Sequence, residues 1–254
     1  MHVVISKAKI NKYALLRHKK FRREYGLFPA EGTNTVFDLL PAFTLENLIA
    51  TPDWISFHNG DIPDHVWAKV LEASPADIKK ISSLSTPSDV IAVFRLPDYA
   101  ESFSAPLPEG FYLVLDGVQD PGNLGTIIRT AHWFGIDRIF CAPDSADAFN
   151  PKTVQASMGS LSHVKVIYGS LHDLFAANPS LPRYGLDLRG DNIFTSRGLK
   201  PGFLVMGREG SGLRPEVRED ITSFLNIPPS REDNHPDSLN VAVATAITLS
   251  QLLK

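Results

Sequence analysis

After residue 110 the chain repeats one pattern: a short unbroken apolar run, a polar or glycine-rich loop, then a helical stretch. The runs are Phe111–Leu115, Arg138–Cys141, Val164–Tyr168, Phe203–Met206 and Phe224–Ile227. Strands that lack hydrophobic–polar alternation are buried on both faces, and intervening helices supply the cover. The pattern predicts an α/β fold with a parallel sheet. Ligands of such sheets gather beyond the carboxyl ends of the strands, so the loops there should carry function.

Three of those loops stand out. The first reads DGVQDPGNLGTIIRTAHWFG over residues 116–135. Asn123 is placed to cap a helix whose apolar face is Leu124, Ile127, Ile128, Ala131 and Phe134, and Gly135 ends it. Gly125 costs that helix about 1 kcal/mol relative to Ala. Arg129 lies one turn later and leans back over it. This Arg is either an anion or substrate contact at the sheet mouth or a surface residue paired with Asp116 or Asp120. The second loop, GREGSGL at 207–213, has three glycines in six positions, which lets backbone approach a ligand closely. It matches neither the G-x-x-x-x-G-K-[ST] nor the G-x-G-x-x-G phosphate motif, and a purely structural turn also fits. The third follows Phe224–Pro228. A polar stretch, 229–237, leads into Ser238-Leu239-Asn240 and a helix from about Val241, with Ser238 as the expected cap. That helix is apolar on nearly every side, so it should lie inside the fold or at a subunit contact.

The first hundred residues read differently. Ile5–Tyr25, Thr35–Leu40, His65–Glu72 and Ala76–Ile81 look helical, while Leu48–Ala50, Trp54–Phe57 and Val90–Phe94 look like strands. Three prolines between Pro97 and Gly110 mark a linker. The expected domains are therefore 1–96 and 111–254, joined by 97–110. Charge is unevenly spread: eight cations (Lys7, Lys9, Lys12, Arg17, Lys19, Lys20, Arg22, Arg23) precede the first acid, Glu24. Removing them from the chain's 25 leaves 17 against 28 acids. A cationic strip on an acidic body suits a polyanion such as nucleic-acid phosphate on one face, or a solvated amphipathic helix. A sole cysteine, Cys141, excludes an intramolecular disulfide and a thiolate metal site and fits a reducing compartment. With no signal-peptide core, and a longest uncharged stretch (238–253) too short and polar to span a bilayer, a soluble, cytoplasmic, metal-free protein is expected.

Taken in order, NLGTIIRTA at 123–131, LVMGREGSGL at 204–213 and NIP…SLNVAVA at 226–244 closely resemble the three motifs of the SpoU (TrmH) ribose methyltransferases, of the SPOUT superfamily. Asn150–Lys152 and Ala156–Ser160 match an intermediate segment. Asn11, Lys19–Arg22 and Phe28…Glu31-Gly32 resemble the family's ribosomal-protein-like substrate-binding domain. The resemblance implies a deep carboxy-terminal trefoil knot, S-adenosylmethionine as cofactor, and methyl transfer to a ribose 2′-hydroxyl of RNA. Ribosomal RNA is favoured over transfer RNA, usually with a homodimer; a transfer-RNA enzyme or a silent RNA-binding relative are the alternatives. It assigns Gly207, Ile227 and Leu239 to the cofactor, Asn123, Arg129, Glu209, Ser238 and Asn240 to the polar active-site set, and Lys19, Lys20, Arg22 and Arg23 to RNA. A guanidinium is a poor proton acceptor. Arg129 is therefore expected to hold phosphate and stabilise the forming alkoxide, with Glu209 or a phosphate-bound water taking the proton. Three departures from the family pattern bear on the RNA target: a longer and more acidic third loop (PSREDNHPD), Pro229 after Ile-Pro, and Gln155 in the intermediate segment.

Overall fold

A computed structural model describes residues 3–99, 103, 105–231 and 236–253; parts of the expected linker and third loop, and the first two residues, lie outside it. The chain forms two compact units. The first comprises Met1–Asp98 with Asp147–Ser162, the second Tyr99–Ala146 with His163–Lys254.

In the first unit the elements run β1 (Val3–Val4), α1 (Lys7–Ala14), α2 (Lys19–Tyr25), β2 (Leu27–Glu31), α3 (Thr33–Leu39), β3 (Leu45–Ala50), α4 (Pro52–Phe57), β4 (Val70–Glu72), α5 (Pro75–Ile81) and β5 (Val90–Arg95). The mixed sheet has the order β1-β4-β3-β5-β2. The strand expected at Trp54–Phe57 is instead helix α4. Thr51 accepts from the Trp54 N–H at 3.3 Å, Pro52 opens the first turn, and Asp53 follows it. These start signals override the aromatic β-propensity of the run. The helix expected over His65–Glu72 is a 3₁₀ segment, Asp64–Lys69, that passes into β4, which is held between β1 and β3. Strand β2 was concealed by Pro29. Its place at the sheet edge, paired on one side with β5, explains how proline is tolerated.

Residues 147–162 complete this unit with α7 (Pro151–Ser157). Phe149 brings its ring 4.7 Å from Phe28 and joins Phe43 in one aromatic cluster. Arg22 corrects an expectation. Rather than facing solvent for RNA, it is 1% exposed and paired with Asp147 at 2.6 Å, and it also donates to the carbonyls of Leu16 and Arg17. A guanidinium can be buried only when its donors are met in this way.

The second unit contains β6 (Tyr112–Leu115), α6 (Pro121–Trp133), β7 (Arg138–Cys141), β8 (Lys165–Tyr168), α8 (Leu171–Ala177), β9 (Arg183–Asn192), β10 (Phe203–Met206), α9 (Pro215–Asp220), β11 (Ser223–Asn226) and α10 (Val241–Leu252). Its six strands are parallel, ordered β11-β9-β10-β6-β7-β8, as the apolar runs predict. Strand β9 was not expected, because RYGLDLRGDN carries too many charges to read as a buried run. Leu115 lies opposite Met206, so the first two functional loops leave the sheet side by side where strand order reverses. Helix α10 is buried on one face only: Val241, Ala242, Thr245, Thr248 and Leu249 are covered, while Val243 is 49% exposed. Among the described residues, no helix is long and apolar enough to cross a membrane.

Candidate active site

The start of α6 sets the site. Asp120, not Asn123, caps this helix, accepting from the Asn123 N–H at 2.8 Å, with Pro121 in the first turn. Relieved of capping, the Asn123 side chain turns outward. Asn240, not Ser238, caps α10, its Oδ1 accepting from the Ala242 and Val243 N–H groups at 2.9 and 3.3 Å. An amide whose oxygen is committed to a helix must point its NH₂ elsewhere. Asn240 Nδ2 donates to Asn123 Oδ1 at 2.9 Å, and Asn123 Nδ2 donates to Glu209 Oε1 at 2.8 Å. One amide orientation satisfies every contact. This chain of three side chains ties together all three loops singled out in the sequence.

The glycine loop closes on itself. Arg208 and Gly212 exchange both backbone hydrogen bonds, at 3.0 and 3.1 Å. A Cβ on Gly207 would lie 2.3 Å from the Gly212 carbonyl carbon, so no larger residue fits there without opening the loop. Beneath it Asp116, fully buried, accepts from the Arg214 backbone N–H at 2.8 Å and its Nε at 2.6 Å. Arg208 pairs with Asp144. Burial would lower the Arg214 pKa, but Asp116 outweighs it and holds the guanidinium above its ordinary value. The glycine loop is thus fastened at both ends by ion pairs.

Between loops lies a crevice of about 510 Å³, lined by Gly207–Gly212, Ile227, Ser238, Leu239, Val241 and the end of β9. The volume and the mix of apolar walls with a few polar groups suit a small cofactor. All three expected cofactor residues line it, as do Glu209 and Ser238. Leu186, Asp187, Leu188 and Arg189 of β9 also line it and were missed, since the strand that presents them was missed. Burial would raise the Asp187 carboxyl, but Arg218 and the Arg189 N–H prevail and hold it below the usual carboxylate range.

Arg129 stands apart. It is exposed on α6 and lines a second cavity, a groove of about 590 Å³ shared with Thr126, Thr130, Trp133, Phe134, Ala246, Ile247 and Ser250. The pairing with Asp116 that the sequence allowed is taken by Arg214, and Arg129 meets no carboxylate among the described residues. Cys141 is fully buried and its thiol is pushed up by burial, so it is no nucleophile. Of the cationic strip, Lys19, Lys20 and Arg23 are exposed.

These features coincide with a family match. The model of the SpoU rRNA Methylase family fits residues 110–250, and that of an MRM3-like substrate binding domain fits residues 7–92. The chain belongs to the SpoU rRNA methylase family. It is 30% identical over 251 residues to the 23S rRNA (guanosine(2553)-2′-O)-methyltransferase RlmP of Bacillus subtilis, covering 96% of this chain and 95% of the relative. Among solved structures it resembles a TrmH-family protein from Porphyromonas gingivalis, at 39% identity, TM-score 0.85 and 98% coverage of each chain. It also resembles an AdoMet-bound rRNA methyltransferase from Sinorhizobium meliloti, at 28% identity, TM-score 0.83 and coverage of 98% and 95%. Within this SpoU family member, the three matched loops are the ones joined by Asn123.

Proposed function

We propose that this chain transfers the methyl group of S-adenosylmethionine to a ribose 2′-hydroxyl of ribosomal RNA, in the cytoplasm and as a homodimer. The observation that carries the reading is the Asn240–Asn123–Glu209 chain at the rim of the crevice. The crevice fits the cofactor: apolar Leu186, Leu188, Ile227 and Leu239 suit its adenosine, and Asp187, Glu209 and Asp237 suit a cation. When bound, the cofactor supplies the methyl group on a sulfonium. Every other task falls to side chains. Asn123 holds the Glu209 carboxylate in one orientation, leaving a second oxygen to take the hydroxyl proton. The trefoil knot belongs to the same reading.

Arg129 has the right charge for RNA phosphate or a forming alkoxide, yet it lines the other cavity. A dimer formed through the α6–α10 groove reconciles the two. It would cover Trp133, which is 85% exposed, and the open side of α10, and it would deliver Arg129 to the partner subunit's crevice. Preference for ribosomal over transfer RNA rests on the relatives' substrates. The test is incorporation of labelled methyl from S-adenosylmethionine into ribosomal RNA lacking the modification, with the product mapped by resistance to alkaline cleavage. A single 2′-O-methyl nucleotide is expected. Cofactor binding without transfer to ribosomal RNA would overturn the substrate assignment.

A further inference from the structure

The first unit carries a feature that a solvated cationic helix does not need. Phe21 and Tyr25, one turn apart on α2, stack at 5.9 Å between centroids and 26° between planes. His18 meets the Phe21 ring edge-on at 6.4 Å. Lys12 Nζ sits 5.1 Å over the Tyr25 ring and Lys20 Nζ 5.6 Å over Phe21. Both rings are half-exposed, and His18, Lys19, Lys20 and Arg23 are exposed around them. Tyr25 also packs on the unit's core, but Phe21 takes no part in that cluster. Other cations of the strip are already engaged: Lys9 donates to Asn47, Arg17 to two carbonyls, and Arg22 is buried. Of the rest, Lys7 opens α1, Lys12 and Lys20 sit on the rings, and Lys19 and Arg23 flank Phe21 in sequence, with Glu24 the one neighbouring acid.

A lysine ammonium on its flexible stem covers a ring face only loosely, so a base can displace it and the charge can turn to a flanking phosphate. Interleaved aromatic rings and ammonium groups are what an unpaired nucleotide requires: a face on which a base stacks, and charges for the flanking phosphates. A base-paired A-form helix hides its base faces and would use the lysines alone. We propose that His18, Phe21 and Tyr25, with Lys12, Lys19, Lys20 and Arg23, form a stacking platform for unpaired nucleotides of the RNA substrate. The platform selects looped or single-stranded substrate over duplex. It rests on the reading of the chain as an RNA enzyme and names the form of RNA it takes.

The test is a binding titration of the full-length protein with a labelled single-stranded RNA and with the same sequence annealed as a duplex, followed by fluorescence anisotropy across a salt series. Single strands should bind more tightly. Phe21→Ala should weaken single-strand binding about 10-fold, within the range for loss of one stacked base, and leave duplex binding and the salt slope unchanged. Lys19→Gln with Lys20→Gln should instead flatten the salt slope for both RNAs. Phe21→Trp, which keeps a ring, should retain affinity, and Phe21→Leu, which keeps only apolar volume, should not. Equal loss for both RNAs in Phe21→Ala, or full affinity in Phe21→Leu, would overturn the platform. Binding is read without methyl transfer, so a failure of the methyltransferase assignment would show separately, as absent S-adenosylmethionine binding.

Discussion

The two cavities of the second unit share helix α10 but are built on opposite principles. Around the crevice several polar side chains meet one another: Asn123 with Asn240 and Glu209, Asp116 with Arg214, Asp187 with Arg218. At the groove, Trp133 is exposed, Ala246 and Ile247 are half-buried, and Arg129 meets no carboxylate among the described residues. A site whose groups are fixed before the substrate arrives loses little by reorganising, which favours positional chemistry such as in-line methyl transfer. A surface whose groups are unmet is incomplete without something from outside. Helix α10 thus borders one cavity ringed by mutually paired side chains and another that includes the exposed Trp133 and Arg129.

The sharpest way to break this comparison is to disable each side separately. Arg129→Ala and Glu209→Gln should each slow single-turnover methylation by about 100-fold or more. Arg129→Lys, which keeps the charge, should retain more activity than Glu209→Gln. If the groove supplies Arg129 across a dimer, mixing the Arg129→Ala and Glu209→Gln proteins should restore part of the lost rate, since each mixed dimer holds one intact site. No recovery after exchange would place Arg129 in its own subunit's site.

Next in size is the ion pair beneath the glycine loop. Asp116→Ala leaves Arg214 without its main partner and should cost about 3 kcal/mol in urea unfolding. Gly207→Ala acts on the same loop without touching a charge. Its Cβ would collide with backbone at 2.3 Å, so S-adenosylmethionine affinity should fall about 10-fold by calorimetry, with a stability loss of about 1 kcal/mol in urea. Equal affinity would mean that the loop's closed shape is not what the cofactor reads.

The smallest effect concerns acid. The folded Asp187 carboxyl titrates below its unfolded value, so the Arg218 pair stabilises fully above roughly pH 4. The contribution is lost as pH falls through the lowered folded value. Arg218 is 39% exposed, which limits the gain to about 1 kcal/mol. Asp187→Asn should flatten the acid limb of stability against pH by that amount, and an unchanged limb would remove the pair from the account.

The sequence exposed the sheet more readily than the partners of its polar residues. Apolar runs such as Phe203–Met206 and Arg138–Cys141 matched the strands because burial on both faces leaves no room for polar positions. Strand β9 escaped because its far half opens onto the crevice and can carry Asp187 and Arg189. The three loops were legible from their glycines, caps and order, but the role of each cap was not. Asp120 and Asn123 are both good caps, and only the geometry shows which is left to reach Glu209. Arg22 looked like its neighbours in a run of cations, and nothing local reveals that Asp147 comes to meet it.

That pairing joins residues 125 positions apart. A ribosome adding roughly 5–20 residues per second needs on the order of 6–25 s to make the second after the first. Throughout that interval the emerging amino-terminal sheet has a charged guanidinium whose burial site is unfinished, and the rim beside Phe28 lacks its lid. The nascent first unit is therefore an unfinished fold by construction, one that holds off closure until residues 147–162 have been translated.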